Sequence, residues 1–359
     1  MLKIIHGADF HLDSPFAGLD PERAAQRREE QRELLDRLAG LAREREAGLV
    51  LLAGDLLDSV HVYRETAQAL RSALEAMPCP VFIAPGNHDF YSRTSLWAAL
   101  DWPDNVHIFS SGAPERVELP GCTLWGRAFT DPHQTACPLE GLAAPGDGGL
   151  HVGCFHGCVG RGNDYGPIAP EDIAASGLTY LALGHVHQGS GLQKEGGTFW
   201  AYPGCPEGRG FDELGEKGVL YIEAEPGEVR AQFVPLAKRR YEIITADITG
   251  PLGALSAILE ELPGRTSDLI CRLILTGEGE RPDLAALERT LAPEFYGLTI
   301  VDNTRLPTDL WRRREEDALT GLFLRAMWDK CREEPDNPLW QLAARYGLAA
   351  LEGGEEAGV

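Results

Sequence analysis

The sequence is short of positive charge, of long apolar runs and of paired cysteines, and each shortage excludes a class of protein. Lysine and arginine number 33 against 55 acidic residues, for a formal net charge of −22. Such a balance argues against broad nonspecific attraction to nucleic acid, so any contact with a phosphate backbone needs local arginines, metal ions or a partner. No run approaches the roughly 18 apolar residues that a membrane-spanning helix requires, and no membrane association is expected. The opening Met1-Leu2-Lys3-Ile4-Ile5 runs straight into chemistry-bearing residues and reads as a buried strand, not as a signal peptide. Eight cysteines in 359 residues do not look like a disulfide framework, which fits a cytoplasmic setting.

What is present is an ordinary globular composition, 43% hydrophobic and 25% charged, long enough for two or three domains with sizeable cores. Five short segments, far apart in sequence, offer donors that a hard or borderline metal ion accepts. They are Asp9-Phe10-His11, Gly54-Asp55-Leu56-Leu57-Asp58, Gly86-Asn87-His88-Asp89, Phe155-His156-Gly157 and Gly184-His185-Val186-His187. Most follow an apolar, often β-branched run, which places them where a buried strand gives way to a loop. Five of the ten histidines fall in this set. A single Asp-x-His or His-x-His usually means surface or turn; all five segments in this order do not arise easily by chance.

The chemistry asks for this mixture. Two divalent ions about 3.5–4 Å apart can clamp a phosphate and activate the attacking water for in-line displacement at phosphorus. Holding them takes a bridging carboxylate with His, Asp and Asn donors. Nitrogen and oxygen donors without thiolate favour Mn, Fe or Zn over Cu(I) or an iron–sulfur cluster. Cys154 and Cys158 flank His156, but no second cysteine pair with ligand spacing lies nearby, so they read as small buried residues; Cys205 and Cys331 are read the same way. Arg93, Arg127, Arg161 and Arg209 fall in or near segments that approach the site. Arg161 and Arg209, in glycine-rich loops, are the candidate phosphate contacts, and the other two read as solvated or structural.

The organisation alternates strand and helix at first. Residues from Pro21 to Glu46 form a charged amphipathic helix with Leu34, Leu35, Leu38 and Leu41 on its apolar side. Strand Leu49–Ala53, a helix from Tyr63 to Ala76 and strand Val81–Ala84 follow, as expected of a layered α/β domain. From Val106 the strands crowd together, which suggests a second sheet packed on the first. Near Lys238 a βαβαβ module begins that carries none of the metal-type motifs and reads as a cap. Beyond Pro307 the pattern is helical: Asp309–Arg332 puts Leu319, Leu322, Phe323, Ala326 and Met327 on one side. Pro335 and Pro338 break it before Pro338–Leu351, and Gly353–Val359 reads as a disordered acidic tail. The expected domains are therefore 1–235, a cap at 236–306, C-terminal helices at 307–352 and a tail at 353–359.

The five segments together resemble the calcineurin-like metallophosphoesterases. Several loops narrow the likeness: His11-Leu12-Asp13-Ser14-Pro15-Phe16, the Gly-Asn-His-Asp variant at Gly86–Asp89, Tyr202-Pro203-Gly204, Gly208-Arg209-Gly210-Phe211 and Gly215-Glu216-Lys217-Gly218. With these the chain is similar to the SbcD-type DNA repair exonucleases, especially the bacterial YhaO-like branch, closely over residues 1–235 and in layout beyond. The resemblance implies a four-layered α/β/β/α sandwich with a small α+β cap and C-terminal helices. It implies two divalent ions, Mn2+ foremost, with Mg, Fe or Zn as alternatives. It assigns Asp9, His11 and His187 to one ion, Asn87, His156 and His185 to the other, and Asp55 to both. His88 becomes the non-ligand acid that serves the leaving oxygen, and Asp58 and Asp89 become groups that orient the ligands or His88. Some relatives carry a histidine three residues after the bridging Asp, where this chain has Asp58. The expected activity is phosphodiester hydrolysis in DNA, often 3′ to 5′, in a bacterial cytoplasm. The expected partner is an SbcC-type coiled-coil SMC-like ATPase bound through the C-terminal helices, and a homodimer is compatible with the resemblance. Two other readings stay open: a small-molecule (cyclic) nucleotide phosphoesterase, and a protein that mainly binds DNA ends or the ATPase.

Overall fold

In the computed structural model, the described residues are 1–160, 162, 164–249, 253–279, 281–305, 311–335, 337 and 339–351. Strand β1 (Leu2–Gly7) leads to the long helix α1 (Pro21–Glu44), then β2 (Leu49–Leu52), α2 (Arg64–Glu75), β3 (Val81–Ile83), the single turn α3 (Leu96–Ala99) and β4 (Val106–Ile108). Strands then crowd together: β5 (Glu115–Leu119), β6 (Cys122–Gly126), β7 (His151–His156), β8 (Cys158–Val159) and β9 (Pro167–Ile168). Helix α4 (Pro170–Ala175) precedes β10 (Tyr180–Gly184), β11 (Gln193–Glu195), β12 (Thr198–Ala201), β13 (Gly218–Glu225) and β14 (Glu228–Pro235). The remainder is β15 (Arg240–Asp247), α5 (Ala254–Glu261), β16 (Leu269–Thr276), α6 (Leu284–Leu291), β17 (Gly297–Asp302), α7 (Leu319–Glu333) and α8 (Leu339–Leu351).

Two six-stranded sheets form, in the orders β14-β13-β1-β2-β3-β4 and β11-β12-β10-β7-β6-β5. Strands β1, β2 and β3 are parallel neighbours in the first, and β7 and β10 are parallel neighbours in the second. Side chains alternate across each strand, and the alternation writes the layers. Ile4, Leu49, Leu51 and Phe82 pack inward against Leu124, Val152 and Tyr180 of the opposite sheet. Their neighbours Ile5, Val50, Leu52 and Val81 face Leu34, Leu35 and Leu38 of α1 and Leu70 and Leu74 of α2. On the far side, Phe155, Leu181, Leu183 and Trp200 pack with Ile173 of α4 and Leu178. The result is the expected α/β/β/α sandwich.

A buried polar link joins the sheets. His6 of β1 is 0% exposed; its Nε2–H donates to the Leu183 carbonyl of β10 (3.1 Å) and its Nδ1 accepts from Tyr180 Oη (2.8 Å). Burial keeps this ring neutral by pulling its pKa down to about 3.

Helix α1 starts where Asp20 caps it, its Oδ1 accepting from the amides of Glu22 and Arg23, with proline in the first turn. It stops at Glu44, two residues before the expected end, because Glu46 turns left-handed (φ 51°). The first part of the expected helix Asp309–Arg332 also differs. Residues 306–310 lie outside the described ones, Arg312–Glu315 form a 3-10 turn, and α7 begins at Leu319. Glu316 is extended (ψ 135°), which separates the 3-10 turn from α7, and a Cβ on Gly321 would collide with the Glu316 carbonyl.

The chain divides into two compact units. One comprises Met1–Ile243, Arg265–Arg272 and Glu294–Leu298; the other comprises Ile244–Gly264, Leu273–Pro293 and Thr299–Val359. Every described metal-type residue lies in the first. In the second, α7 and α8 pack on each other through Leu324, Ala344 and Leu348, leaving Leu319, Leu322, Leu339 and Leu342 exposed. The expected disorder of 353–359 concerns residues outside the described ones. Among the described residues no helix is long and apolar enough to cross a membrane.

Candidate metal centre

The carboxyl ends of β1, β2 and β3 in one sheet and of β7 and β10 in the other deliver all five segments to one place. Four of the residues delivered there, Asp9 (φ 55°), His11 (45°), Asp55 (50°) and His185 (112°), have backbones that side-chain-bearing residues rarely adopt. Each such residue costs about 1–3 kcal/mol and persists only where its surroundings over-determine it. Here they do: the amides of Asp9 and His11 donate to the carbonyls of Gly54 and Asp55 (both 3.0 Å). Gln31 of α1 donates to the His11 carbonyl (3.1 Å), and the His185 amide donates to both Asp9 carboxylate oxygens (3.0 Å each). Two glycines are needed for room. A Cβ on Gly54 (φ 91°) would sit 2.5 Å from His156 Nδ1, and one on Gly86 would overlap the Asp55 carboxylate.

The side chains fall into three overlapping groups of potential donors: Asp9, His11 and His187; Asp55, His156 and His185; and, at the mouth, His11, Asp58 and His88. In the first, His11 Nε2 and His187 Nε2 face each other at 3.1 Å. His187 Nδ1 lies 2.7 Å from Glu213 Oε1 and donates to it, which leaves Nε2 as a bare lone pair. In the second, His156 Nδ1 donates to the Ala53 carbonyl (2.9 Å), so its Nε2 is also bare, yet it points at Asn87 Oδ1 at 2.9 Å. His185 Nδ1 approaches the same amide oxygen at 3.2 Å. Asp55 Oδ2 stands between the groups, 3.4 Å from His156 Nε2 and 3.9 Å from His11 Nε2. Lone pairs from the imidazoles, an amide oxygen and two carboxylates converge on one small space, and this nitrogen and oxygen donor set fits divalent metal ions.

The electrostatics agree. Burial, then the neighbouring Asp55 charge, pushes the Asp9 carboxyl well above its usual range. Asp55 is opposed by burial too, but the surrounding His156, His11 and His88 hold it below the ordinary value. Burial lowers His11 and His185 to about 4 and lowers His156 as well, so these imidazoles are neutral near pH 7, the form that binds metal.

His88 is exposed at the mouth; its amide donates to Asp55 Oδ1 (2.9 Å) and its Nδ1 to the Asp58 carbonyl (2.9 Å). Asp58 also accepts from Ser14 Oγ (3.0 Å), and its Oδ1 lies 3.3 Å from His11 Nδ1, off the line of a good hydrogen bond. Asp89 is buried and braces two ligand loops, accepting from the amides of Gly86 (2.7 Å), Leu56 (2.8 Å) and Leu57 (3.2 Å). Burial, then Asp55, raises it to about 7 against those three amides. Arg209 reaches the site but is already engaged, by Glu213 (2.7 Å) and by Asp58 (3.3 Å). Arg161 lies outside the described residues. Arg93 is exposed, and Arg127 donates to the Cys137 carbonyl (3.1 Å). All eight cysteines are free, and burial pushes Cys154 up to about 12, which argues against a thiolate zinc site beside His156.

Two residues at the site escaped the sequence reading. Glu213 is 5% exposed and holds both His187 and Arg209, yet a single acid inside a loop carries no spacing signal. Tyr165 stacks on His185 (ring centroids 5.3 Å apart, 29° between planes), and nothing in its glycine-rich surroundings announces that.

Comparison with known proteins matches residues 2–189 to the calcineurin-like phosphoesterase family. The matched stretch includes every one of the five segments and ends before Arg209 and Glu213. The chain is 30% identical over 319 residues to the uncharacterized metallophosphoesterase YhaO of Bacillus subtilis, covering 81% of this chain and 75% of that protein. It is 26% identical over 271 residues to SbcD, a component of the SbcCD nuclease of the same organism, covering 63% of this chain and 67% of that one.

Proposed function

From the premise that the chain belongs to the calcineurin-like phosphoesterases, we propose that it is a two-metal DNA phosphodiesterase, an exonuclease or endonuclease of DNA repair. The observation that carries the reading is the convergence of imidazole, amide and carboxylate donors around Asp55, a set that divalent cations would satisfy together. Asp9, His11 and His187 would hold one ion, Asn87, His156 and His185 the other, and Asp55 would serve both. When bound, the ions, with Mn2+ the first choice, clamp the phosphate and activate the attacking water.

Every other task falls to the chain. His88 contacts the scissile phosphate and gives a proton to the leaving oxygen; its Nδ1–H rests on the Asp58 carbonyl, which turns Nε2 toward substrate. Asp58 and Asp89 hold this geometry through the contacts described above.

DNA as substrate is supported by the similarity to a nuclease component and by the loops beyond the matched domain. Residues 236–306 are the substrate-shaping module of this reading, since two ions alone cleave most accessible phosphoesters. The exposed Leu319, Leu322, Leu339 and Leu342 of α7 and α8 dock an SMC-like coiled-coil ATPase in a bacterial cytoplasm.

The test is incubation of the chelator-stripped chain with end-labelled single- and double-stranded DNA, with cyclic and linear nucleotides alongside, under Mn, Mg or Zn. Metal-dependent DNA cleavage is expected. Turnover of nucleotides with intact DNA would replace this reading with the small-molecule one. Changing the four exposed leucines to serine should abolish co-purification with the ATPase and leave hydrolysis of a small phosphodiester unchanged.

A further inference from the structure

Arg209 and Glu213 are engaged with each other and with two residues of the centre. Glu213 Oε1 accepts from His187 Nδ1 (2.7 Å) and from Arg209 Nη2 (2.7 Å), while its Oε2 accepts from the Arg209 amide (2.8 Å) and Nε (3.3 Å). The remaining arm of the guanidinium, Nη1, donates to Asp58 Oδ1 (3.3 Å). One arginine therefore ties together two carboxylates, Glu213 behind His187 and Asp58 beside His11. The loop that presents it is itself anchored: Arg27 of α1, fully buried, donates to the Gly208 carbonyl (3.0 Å) and pairs with Glu207 and with Glu30 (2.8 Å). Arg239 closes on the same Glu30 (2.8 Å). A buried ionic cluster of this kind breaks at high cost when one partner is removed, so the loop holds its shape.

His11 also has a carboxylate near its far nitrogen, Asp58 Oδ1 at 3.3 Å from Nδ1, so the contrast is with the histidines of the other group. His156 is aimed by a backbone carbonyl, and His185 packs against the stacked Tyr165 ring. Among the described residues no carboxylate stands behind the far nitrogen of His156. An imidazole whose N–H donates to a carboxylate is a more basic and better oriented ligand than one that donates to a neutral carbonyl.

We propose that Glu213, clamped by Arg209, is a positioning residue that makes the two metal positions unequal. It fixes the tautomer and direction of His187, and the ion held by Asp9, His11 and His187 is the tighter one. The inference rests on the two-metal reading.

The test is calorimetric titration of Mn2+ into the chelator-stripped full chain, a measurement independent of catalysis. The wild type takes up two ions with different affinities. In Glu213→Gln the tighter step weakens by about 10–100-fold, the range typical for loss of a group that orients a metal ligand, and the weaker step stays put. Arg209→Lys, which leaves Glu213 charged and buried, shifts the same step in the same direction by less. His156→Ala identifies the steps: it removes the weaker one and leaves the one that Glu213→Gln perturbs. Melting in chelator checks that each variant is folded; if Glu213→Gln is not, Arg209→Lys carries the decision. Equal weakening of both steps would mean that Glu213 merely props up the loop, and no change in either would mean that it sets nothing. A wild type that takes up two ions while the variants change neither overturns this inference alone. A wild type that takes up no metal overturns the two-metal reading, and the inference falls with it.

Discussion

Behind His187 stands a buried carboxylate that a distant loop supplies; behind His156 stands only the Ala53 carbonyl, part of the strand end next door. The two halves of the centre use the same kinds of donor and are oriented by different means. A backbone orienter comes free with the fold and cannot be removed by truncating a side chain. A side-chain orienter can be lost in one mutation, and it can also be tuned. The half with Glu213 is thus the adjustable half, and the half with Ala53 is the one the sandwich dictates.

The harshest way to break the comparison is to remove what both halves share. Asp55→Ala should empty both positions and abolish hydrolysis, as read by metal analysis after dialysis; unchanged metal content would mean that Asp55 bridges nothing. Next comes a change that spares both halves. His88→Ala should keep two ions while hydrolysis falls by about 10²–10⁴-fold, the usual contribution of a general acid. The deficit should shrink on a p-nitrophenyl diester, whose leaving group needs little protonation. Loss of metal in this variant would make His88 a ligand instead.

A subtler change targets the half that the backbone orients. Gly54→Ala places a methyl against His156 Nδ1 and forces a left-handed alanine, at a cost of about 1–2 kcal/mol. It should weaken the step that His156→Ala removes and leave the Glu213-dependent step alone, the mirror image of Glu213→Gln. If both variants weaken the same step, the halves are not independent.

The smallest expected effect is on stability. His6, His11 and His185 are all pulled below their ordinary value by burial, His6 to about 3. Between the folded and unfolded pKa the unfolded chain binds more protons, so stability is full above about pH 6.5 and falls as pH drops. For His6 alone the slope approaches about 1.4 kcal/mol per pH unit in that window. Urea unfolding of the chelator-stripped chain at pH 7 and pH 5 should show the acid sample weaker. A His6→Gln variant should show a shallower pH dependence than the wild type, and an identical slope would mean that His6 is not held neutral.

The donor segments were noticeable in the sequence because most follow a short apolar strand, and parallel neighbours in a sheet end on the same side. That rule brings Asp9, Asp55 and Asn87 together, and His156 and His185 on the facing sheet; which of them would serve which ion came from the family resemblance and not from the rule. Glu213 was not legible because its meaning depends on a loop folded back by Arg27 and Glu207, residues separated by most of the domain. Arg209 was noticed for its charge, but its engagement with Glu213 and Asp58 is a property of that same loop. The layered sandwich could be read from alternating apolar residues, since Ile4 and Ile5 already point to opposite layers. The start of α7 could not, because the chain leaves helical geometry at Glu316 (ψ 135°), and no proline or glycine near that residue announces it.

The central claim is that two ions occupy one centre shared through Asp55, and anomalous diffraction from crystals soaked in Mn2+ tests it most directly. Two peaks about 3.5–4 Å apart are predicted, one among Asp9, His11 and His187 and one among Asn87, His156 and His185, with the Asp55 carboxylate touching both. A single peak, or two peaks that Asp55 does not join, would contradict it.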